Sequence, residues 1–169
     1  MAQKLYLLRH AEPDPWNPLG NDFSRSLTSA GKQHANLLAD WVLERLEPPD
    51  TILCSPAKRT RETLAPILSR WRKLLSSTEY VESMYDASLN LLLTLAEDAF
   101  SYSERLLMVG HNPGISTLLA TVWLAEQAAE IGQMATGTIA VVEFQHGFRR
   151  EAHNGELSNL VTRKNLSDH

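Results

Sequence analysis

Short apolar runs alternate with longer amphipathic segments over the first 126 residues of this chain. Four of the runs have the length and composition of buried strands, at residues 5–8, 51–54, 78–81 and 106–109. The segments between them keep apolar residues at helical spacing, so helices are expected to join the strands. Such alternation is typical of a mostly parallel sheet that helices cover on both faces. The pattern therefore predicts an α/β fold, a three-layer α/β/α arrangement around a mostly parallel central sheet.

Helix boundaries follow from capping residues and breakers. Thr28 and Ser88 each precede a run with helical spacing and are predicted to be N-caps. Pro56 suits the first turn of another helix, because that turn leaves its N–H groups unpaired in any case; this helix is expected to end near Leu75. A further helix is predicted at residues 115–126.

The last third of the chain favours strands. A β-branched run at residues 138–144 predicts a fifth strand. Gly147 then predicts a turn into an edge strand at residues 148–153.

Length, charge and cysteine content limit the class of protein. A chain of 169 residues suits a single domain over residues 1–169, and its net charge of −4 provides no broad basic field for nucleic acid. Cys54 is the only cysteine, which excludes an internal disulfide and a multi-cysteine zinc site. No apolar run reaches the roughly 18 residues that span a bilayer. Because the chain passes from MAQK directly into a strand, no signal peptide is expected, and a cytoplasmic location is predicted.

Polar residues follow four of the predicted strands, at the sheet edge where open α/β folds bind ligands. They are Arg9 and His10, Arg59, Glu82 and Asp86, and His111. A guanidinium fork suits phosphate oxygens, and a neutral imidazole can attack phosphorus through one ring nitrogen. The set contains the parts needed to bind a phosphoryl group, attack it and protonate the leaving group. The sequence therefore predicts a phosphoryl-transfer site.

Three other polar residues have a simpler interpretation. His34 lies within a predicted helix and is interpreted as a packed or surface histidine. Lys58 and Arg61 flank Arg59 and are interpreted as solvated surface charges.

Four motifs carry a resemblance to a known family. They are L-x-R-H ending at His10, R-x-L-T-x-x-G at residues 25–31, S-P-x-x-R-x-x-x-T at residues 55–63, and G-H-N-P at residues 110–113. In this order they resemble the histidine phosphatase superfamily, also called the phosphoglycerate mutase-like family. The closest subgroup is the short phosphohistidine phosphatase SixA-like proteins. The resemblance covers nearly the whole chain and implies a phosphoglycerate mutase-like fold.

The resemblance implies a role for each matching residue. His10 corresponds to the nucleophile that becomes phosphorylated, and Arg9 and Arg59 correspond to the clamp on the phosphoryl oxygens. His111 matches the second histidine, which donates to the same oxygens as charge develops. Arg25 matches a basic residue that small members place beside the phosphate.

The general acid is less well defined. If Tyr85 matches the end of the apolar pair that precedes the acid in mutases, Asp86 is the acid, and Glu82 is the alternative. Glu82 and Asn112 are also predicted to contact substrate, together with Arg25. Ala11 stands where the family usually has glycine, and SixA-like members often lack a firm counterpart of the acid.

The predicted reaction is removal of phosphate from phosphohistidine on a protein. Residues 82–111 leave room for one helix and one strand and for no subdomain that could close over a small substrate. The alternatives are a phosphatase for small phosphorylated metabolites and a silent phosphate-binding regulatory module. A metal site at His10 and His111 is disfavoured because nearby arginines repel a cation, so neither metal nor cofactor is expected. Nucleic acid and membrane partners are not expected.

Overall fold

The computed structural model describes residues 1–18, 20–123, 132–150 and 153–166. Within them, one sheet has helices on both faces. Its strands are β1 (Gln3–Arg9), β2 (Thr51–Cys54), β3 (Thr78–Tyr80), β4 (Arg105–Gly110), β5 (Ile139–Phe144) and β6 (Glu156–Val161). The helices are α1 (Ser29–Arg45), α2 (Lys58–Arg70), α3 (Leu89–Phe100), α4 (Gly114–Val122) and α5 (Arg163–Leu166), with short 3-10 helices at Arg72–Ser77 and Glu82–Met84.

The sheet has the order β3-β2-β4-β1-β5-β6. The pairings of β1 with β4, β2 with β4 and β2 with β3 are parallel, whereas β5 and β6 are added antiparallel. The predicted α/β fold is confirmed. Arg9 is opposite Gly110 in the register, so the ends of β1 and β4 bring His10 and His111 to one sheet edge.

Alternation along β1 divides the core into two layers. Leu5 and Leu7 face α3 and α4 in one buried cluster, while Tyr6 and Leu8 face α1 and α2 in the other. Because successive side chains on a strand point to opposite faces, an apolar run of this kind has to be covered on both sides. The predicted layers follow from this requirement.

The predicted N-caps are confirmed. The Thr28 side chain accepts a hydrogen bond from Gly31 N at 2.9 Å, and that of Ser88 accepts one from Leu91 N at 3.3 Å. Helix α4 covers Gly114–Val122, so the prediction of a helix over residues 115–126 was wrong at Trp123, whose extended backbone forms a bridge with Gly155. Residues 124–126 lie outside the described residues.

The predicted end of α2 was wrong, and Pro56 lies just outside the helix, whereas Arg59 lies in its first turn as predicted. Pro56 precedes the helix, whose N-cap is Ala57. At the other end Trp71 leaves the helical region, and Leu74 N donates to Trp71 O in a 3-10 turn that buries Leu74 beneath the sheet. Tertiary packing of Leu74 therefore ends the helix before Leu75.

The edge strand was predicted in the wrong place. Residues 148–150 and 153 are not in a strand, and residues 151–152 lie outside the described residues. The Phe148 ring packs against those of Phe100 and Phe144, with centroid distances of 5.3 and 5.4 Å. Phe148 thus covers the core instead of pairing with β5, and the edge strand is β6.

Candidate active site

His10 follows β1 and is only 5% exposed. Its Nδ1 lies 2.7 Å from Ala11 O. Because a carbonyl oxygen only accepts, Nδ1 must donate, which leaves the lone pair of the neutral ring on Nε2. The pKa of His10 is lowered to about 4, mainly by burial and also by the positive charges of Arg59, Arg9 and Arg25, while the hydrogen bond to Ala11 opposes this shift. His10 is therefore a neutral imidazole near pH 7, with Nε2 as its nucleophilic atom.

Backbone hydrogen bonds hold the segment around His10. His10 N donates to Gly110 O at 3.2 Å, and Gly137 N donates to His10 O at 2.8 Å. Ala11 N donates to Thr63 Oγ1 at 2.9 Å, and Thr63 Oγ1 donates to Arg59 O at 2.7 Å. Arg59 and Thr63 are one helical turn apart, so the R-x-x-x-T spacing of the third motif ties α2 to the end of β1.

His111 lies beside His10, with a ring-centroid distance of 5.3 Å. Its Nε2 is 2.7 Å from Oγ of the fully buried Ser55, the first residue of the third motif. Its Nδ1 is buried with no hydrogen-bond partner among the described residues. Burial lowers the pKa of His111 to about 3, with further contributions from Arg59 and His10. A neutral ring can donate from one nitrogen only, so His111 suits a role as hydrogen-bond donor and not as a fixed charge.

Two of the predicted arginines meet at one carboxylate. Arg59 is 7% exposed in the first turn of α2; its Nη1 donates to Asp22 O at 2.8 Å and its Nη2 to Asp22 Oδ2 at 2.9 Å. Arg25 donates from Nη1 to Asp22 Oδ1 at 2.9 Å and from Nε to Asp14 O at 2.9 Å. The structure therefore brings Arg25 and Arg59 together at the rim of the site.

Arg9, the third predicted arginine, is half-buried at the end of β1. Its Nη1 donates to Met134 O at 2.7 Å, and its Nε is buried without a hydrogen-bond partner in the described part of the chain. Burial lowers the pKa of Arg9. Since guanidinium remains protonated in proteins, a half-buried positive charge lies close enough to His10 and His111 to lower both of their pKa values, and it favours an anion there.

Asp22 and Tyr85 belong to the site, although the sequence analysis did not identify them. The Tyr85 hydroxyl donates to Asp22 Oδ2 at 2.6 Å. This bond, with those from Arg25 and Arg59, holds the pKa of Asp22 well below its usual range, and it raises the pKa of Tyr85. The Tyr85 ring packs edge-on against those of Phe23 and His111, at 5.2 and 5.6 Å. Asp22 therefore stays ionised, which makes it unsuitable as a general acid.

The two candidate acids, Asp86 and Glu82, both have exposed side chains. Asp86 is exposed and lines a small cavity of about 20 Å³ together with His111 and Asn112. Glu82 is also exposed, and its backbone carbonyl accepts a hydrogen bond from Tyr85 N at 3.2 Å. Asp86 thus lines a cavity with His111, and the choice of acid stays a prediction.

Asn112 has partners within the protein. Its Nδ2 donates to Met134 O at 2.9 Å, and its Oδ1 accepts from Ser116 Oγ at 2.6 Å. Met134 O is the same carbonyl that Arg9 binds. The Asn112 side chain thus supports the backbone that orients Arg9, and direct contact with substrate stays a prediction.

The positions of Lys58, Arg61 and His34 agree with their interpretation as surface charges and a packed histidine. Lys58 and Arg61 are exposed, and His34 is buried at 5%. A Cβ on Gly137, whose φ is +67°, would lie 2.4 Å from the His34 ring, so the His34 ring packs under the backbone that binds His10.

Neither a metal cluster nor a membrane span is found in the part of the chain that the structure describes. No group of three or more His, Cys, Asp or Glu residues there is arranged to hold a metal ion. None of its helices is long and apolar enough to cross a membrane.

Comparisons with known proteins agree with this geometry. Residues 5–84 match the model of the histidine phosphatase superfamily, branch 1. An uncharacterised protein of Mycobacterium tuberculosis is 31% identical over 97 residues, which cover 57% of this chain and 58% of that protein. The matched region thus spans little more than half the length of this curated relative.

Solved structures extend the likeness over the whole fold. A protein named phosphohistidine phosphatase SixA from Agrobacterium tumefaciens is 29% identical, with a TM-score of 0.80 over 95% of this chain and 97% of that one. Another of that name, from Nakamurella multipartitia, shares the fold with 24% identity and a TM-score of 0.81 over 96% of both chains. The matched family model over residues 5–84 and the fold shared with proteins named SixA make this chain similar to the histidine phosphatase superfamily.

Proposed function

We propose that this protein is a phosphatase that forms a phosphohistidine at His10 and removes phosphate from phosphohistidine on another protein. The observation that carries the proposal is the state of His10. Its Nδ1 is fixed by Ala11 O and its pKa is lowered to about 4, so Nε2 is an unprotonated nucleophile beside arginine charges. Such an imidazole can attack an anionic phosphoryl group, provided that nearby cations offset the charge.

Binding of the phosphoryl group uses the arginines and His111. Arg9 and Arg59 donate to the phosphoryl oxygens, Arg25 adds charge at the rim, and His111 donates from one ring nitrogen. Arg59 uses Nη1 and Nη2 for Asp22, but a guanidinium has five N–H groups and can bind both anions. Asp22 therefore orients Arg59 without using up its donors.

The reaction proceeds in two displacements. His10 Nε2 attacks phosphorus while the P–N bond to the substrate imidazole breaks; the electron pair stays on the leaving nitrogen, which takes up a proton. Water then attacks phosphorus and the bond to Nε2 breaks, which releases inorganic phosphate and restores the neutral ring. Asp86, or alternatively Glu82, supplies the proton to leaving groups that need one.

The short segment between Glu82 and His111 supports a substrate carried on a protein. Between Glu82 and His111 the chain forms only a 3-10 helix, α3 and β4, and none of these covers His10 with an inserted subdomain. The likeness to a protein named phosphohistidine phosphatase SixA, at 29% identity, supports the same substrate class. A single domain and a cytoplasmic location remain predictions within this proposal.

The test is a substrate panel combined with a phosphoenzyme trap. Wild-type protein is expected to hydrolyse a phosphohistidine-containing protein faster than sugar or nucleotide phosphates, and to retain an acid-labile, base-stable phosphate. His10→Ala should lose both, whereas His146→Ala, at an exposed turn, serves as the matched control.

Each alternative gives a different result in that panel. Turnover of phosphomonoesters alone would identify a metabolite phosphatase. Phosphate binding without turnover of any substrate would identify a regulatory module. Full activity of His10→Ala would reject the proposed nucleophile.

A further inference from the structure

An open groove runs along α2, away from the phosphate site. Its near part, at Phe23, has a volume of about 580 Å³, and its far part, at Leu75, has about 410 Å³. Ala65 and Tyr80 line both parts, so the two cavities adjoin each other. We call this surface the α2 groove.

The near end of the α2 groove adjoins the active site through direct contacts. Phe23 follows Asp22, and its ring packs against Tyr85, which in turn packs against His111. Lys58 N donates to Phe23 O at 3.0 Å, which fixes the loop that contains Asp22 and Phe23, called the rim loop, to the start of α2. A chain that enters the groove at Phe23 therefore passes beside the residues that bind the phosphoryl group.

The groove carries positive charge that the protein does not neutralise. Lys58, Arg61 and Arg72 line it and are exposed, and in the described part of the chain none lies within salt-bridge distance of a carboxylate. Arg70, on the same helix but outside the groove, has such a partner in Asp40 at 2.7 Å. Three unpaired cations on one surface of a chain with net charge −4 favour an anionic partner.

Besides its cations, the α2 groove contains an acidic residue and exposed apolar side chains. Glu62 is its one acidic lining residue among those described, and that carboxylate accepts a hydrogen bond from Leu27 N at 2.6 Å. Tyr80 is 40% exposed and Leu75 is 59% exposed, and the Arg61 guanidinium lies 4.7 Å above the centre of the Tyr80 ring. The surface thus combines cations with aromatic and aliphatic contacts.

We propose that the α2 groove binds an acidic polypeptide segment of the substrate protein, next to the phosphohistidine. This inference rests on the proposed function and specifies how the substrate is recognised. Helix α2 has 13 residues, so it is about 20 Å long at 1.5 Å per residue. That length matches about six residues of extended chain. A small phosphorylated metabolite in the active site would be too short to reach Arg72 and Leu75.

The experiment compares two peptides of about 12 residues whose central histidine has been chemically phosphorylated. One peptide has Asp, Glu and Leu flanks, and the other has Asn, Gln and Leu flanks; p-nitrophenyl phosphate provides the reference rate. For the wild type, kcat/KM is expected to be about tenfold higher for the acidic peptide. In R61E/R72E the ratio of kcat/KM for the acidic peptide to that for p-nitrophenyl phosphate should fall about tenfold, mainly through KM.

Two further variants test whether the effect depends on the α2 groove. Arg45→Glu reverses an exposed charge on α1 outside the groove and should leave that ratio unchanged. Leu75→Ser removes the apolar far end and should raise KM for both peptides, which share their leucines. Thermal unfolding of each variant checks that the fold is retained.

The outcomes separate the two proposals. If neither phosphohistidine peptide is hydrolysed, the proposed function fails, and the inference fails with it. If both are hydrolysed at equal kcat/KM, or if R61E/R72E keeps the wild-type ratio, the groove is not the docking surface and the proposed function stands.

Discussion

At the scale of single residues, the site depends on which atoms are held by the backbone. Ala11 O fixes Nδ1 of His10, and Met134 O fixes both Arg9 and Asn112. Each of these acceptors is a carbonyl, which cannot change its hydrogen-bonding role with pH. The tautomer of His10 and the direction of Arg9 are therefore set before substrate arrives.

The general acid can be identified by its dependence on the leaving group. Asp86→Asn is expected to slow hydrolysis of alkyl phosphates by about 10²–10⁴-fold, because a poor leaving alkoxide requires a proton. Aryl phosphates with acidic phenols should be much less affected. Steady-state kinetics on a leaving-group series measures the difference, with Glu82→Gln as the matched variant. The same selectivity in Glu82→Gln, with Asp86→Asn near wild type, would assign the acid to Glu82.

At the scale of elements, the motifs are places where helices are fastened to the sheet edge. In the second motif Thr28 N donates to Glu12 O at 3.0 Å, and a Cβ on Gly31 would lie 2.4 Å from that same oxygen. The start of α1 thus lies against the segment that follows His10, and only glycine permits this approach.

Gly31→Ala is expected to destabilise the protein, although the same change in an ordinary helix stabilises by about 1 kcal/mol. Overpacking against Glu12 O should lower the free energy of unfolding by about 1–3 kcal/mol. Denaturant unfolding measures the change. Glu44→Ala, at an exposed position of α1, is the control and should stay within about 0.5 kcal/mol of wild type. A stabilised Gly31→Ala variant would contradict the close approach.

The first turn of α2 is expected to contribute more to catalysis than its last turn. Arg59→Ala removes a buried guanidinium from the phosphate site and should lower kcat for p-nitrophenyl phosphate by about 10²–10³-fold. Arg70→Ala removes only a surface ion pair with Asp40 and should change kcat less than about twofold. Comparable losses in the two variants would show that the phosphoryl group binds elsewhere.

At the scale of the whole molecule, two buried neutral histidines make stability depend on pH. In the unfolded chain a histidine takes up a proton near pH 6.5. In the folded protein the pKa of His10 is lowered to about 4 and that of His111 to about 3. Between these pH values the unfolded state binds more protons, so stability falls as the pH is lowered.

Removing one of these histidines should reduce that dependence. Each pKa unit of difference between the folded and unfolded states corresponds to about 1.4 kcal/mol. His10 alone should therefore account for about 2–3 kcal/mol of the free energy of unfolding that is lost between pH 7 and pH 4.5. His10→Asn is therefore expected to show a shallower slope of unfolding free energy against pH, measured by urea titration. His146→Asn, exposed on a turn, should keep the wild-type slope. Equal slopes in His10→Asn and wild type would contradict a neutral buried His10.

The order of the elements could be predicted from the sequence because it depends on local patterns. The run at residues 5–8 had to be covered on both faces, and Thr28 and Ser88 mark helix starts through contacts three residues away. The end of α2 and the position of β6 could not be predicted, since they depend on where Leu74 and Phe148 pack. Those contacts involve residues distant in the chain.

The sequence by itself determined the motif residues, because Arg9, His10, Arg59 and His111 stand at fixed distances from strand ends that share one sheet edge. Only the tertiary structure decided which other residues contact them at that edge. Asp22 lies in a loop without periodicity, and its carboxylate becomes part of the site because Arg25, Arg59 and Tyr85 converge on it from separate elements. The α2 groove likewise exists only where α2 lies beside β3 and the rim loop. Hydrogen bonds between distant segments leave no pattern in the local sequence. Motifs can therefore identify the reactive residues, whereas the partners of those residues depend on the fold.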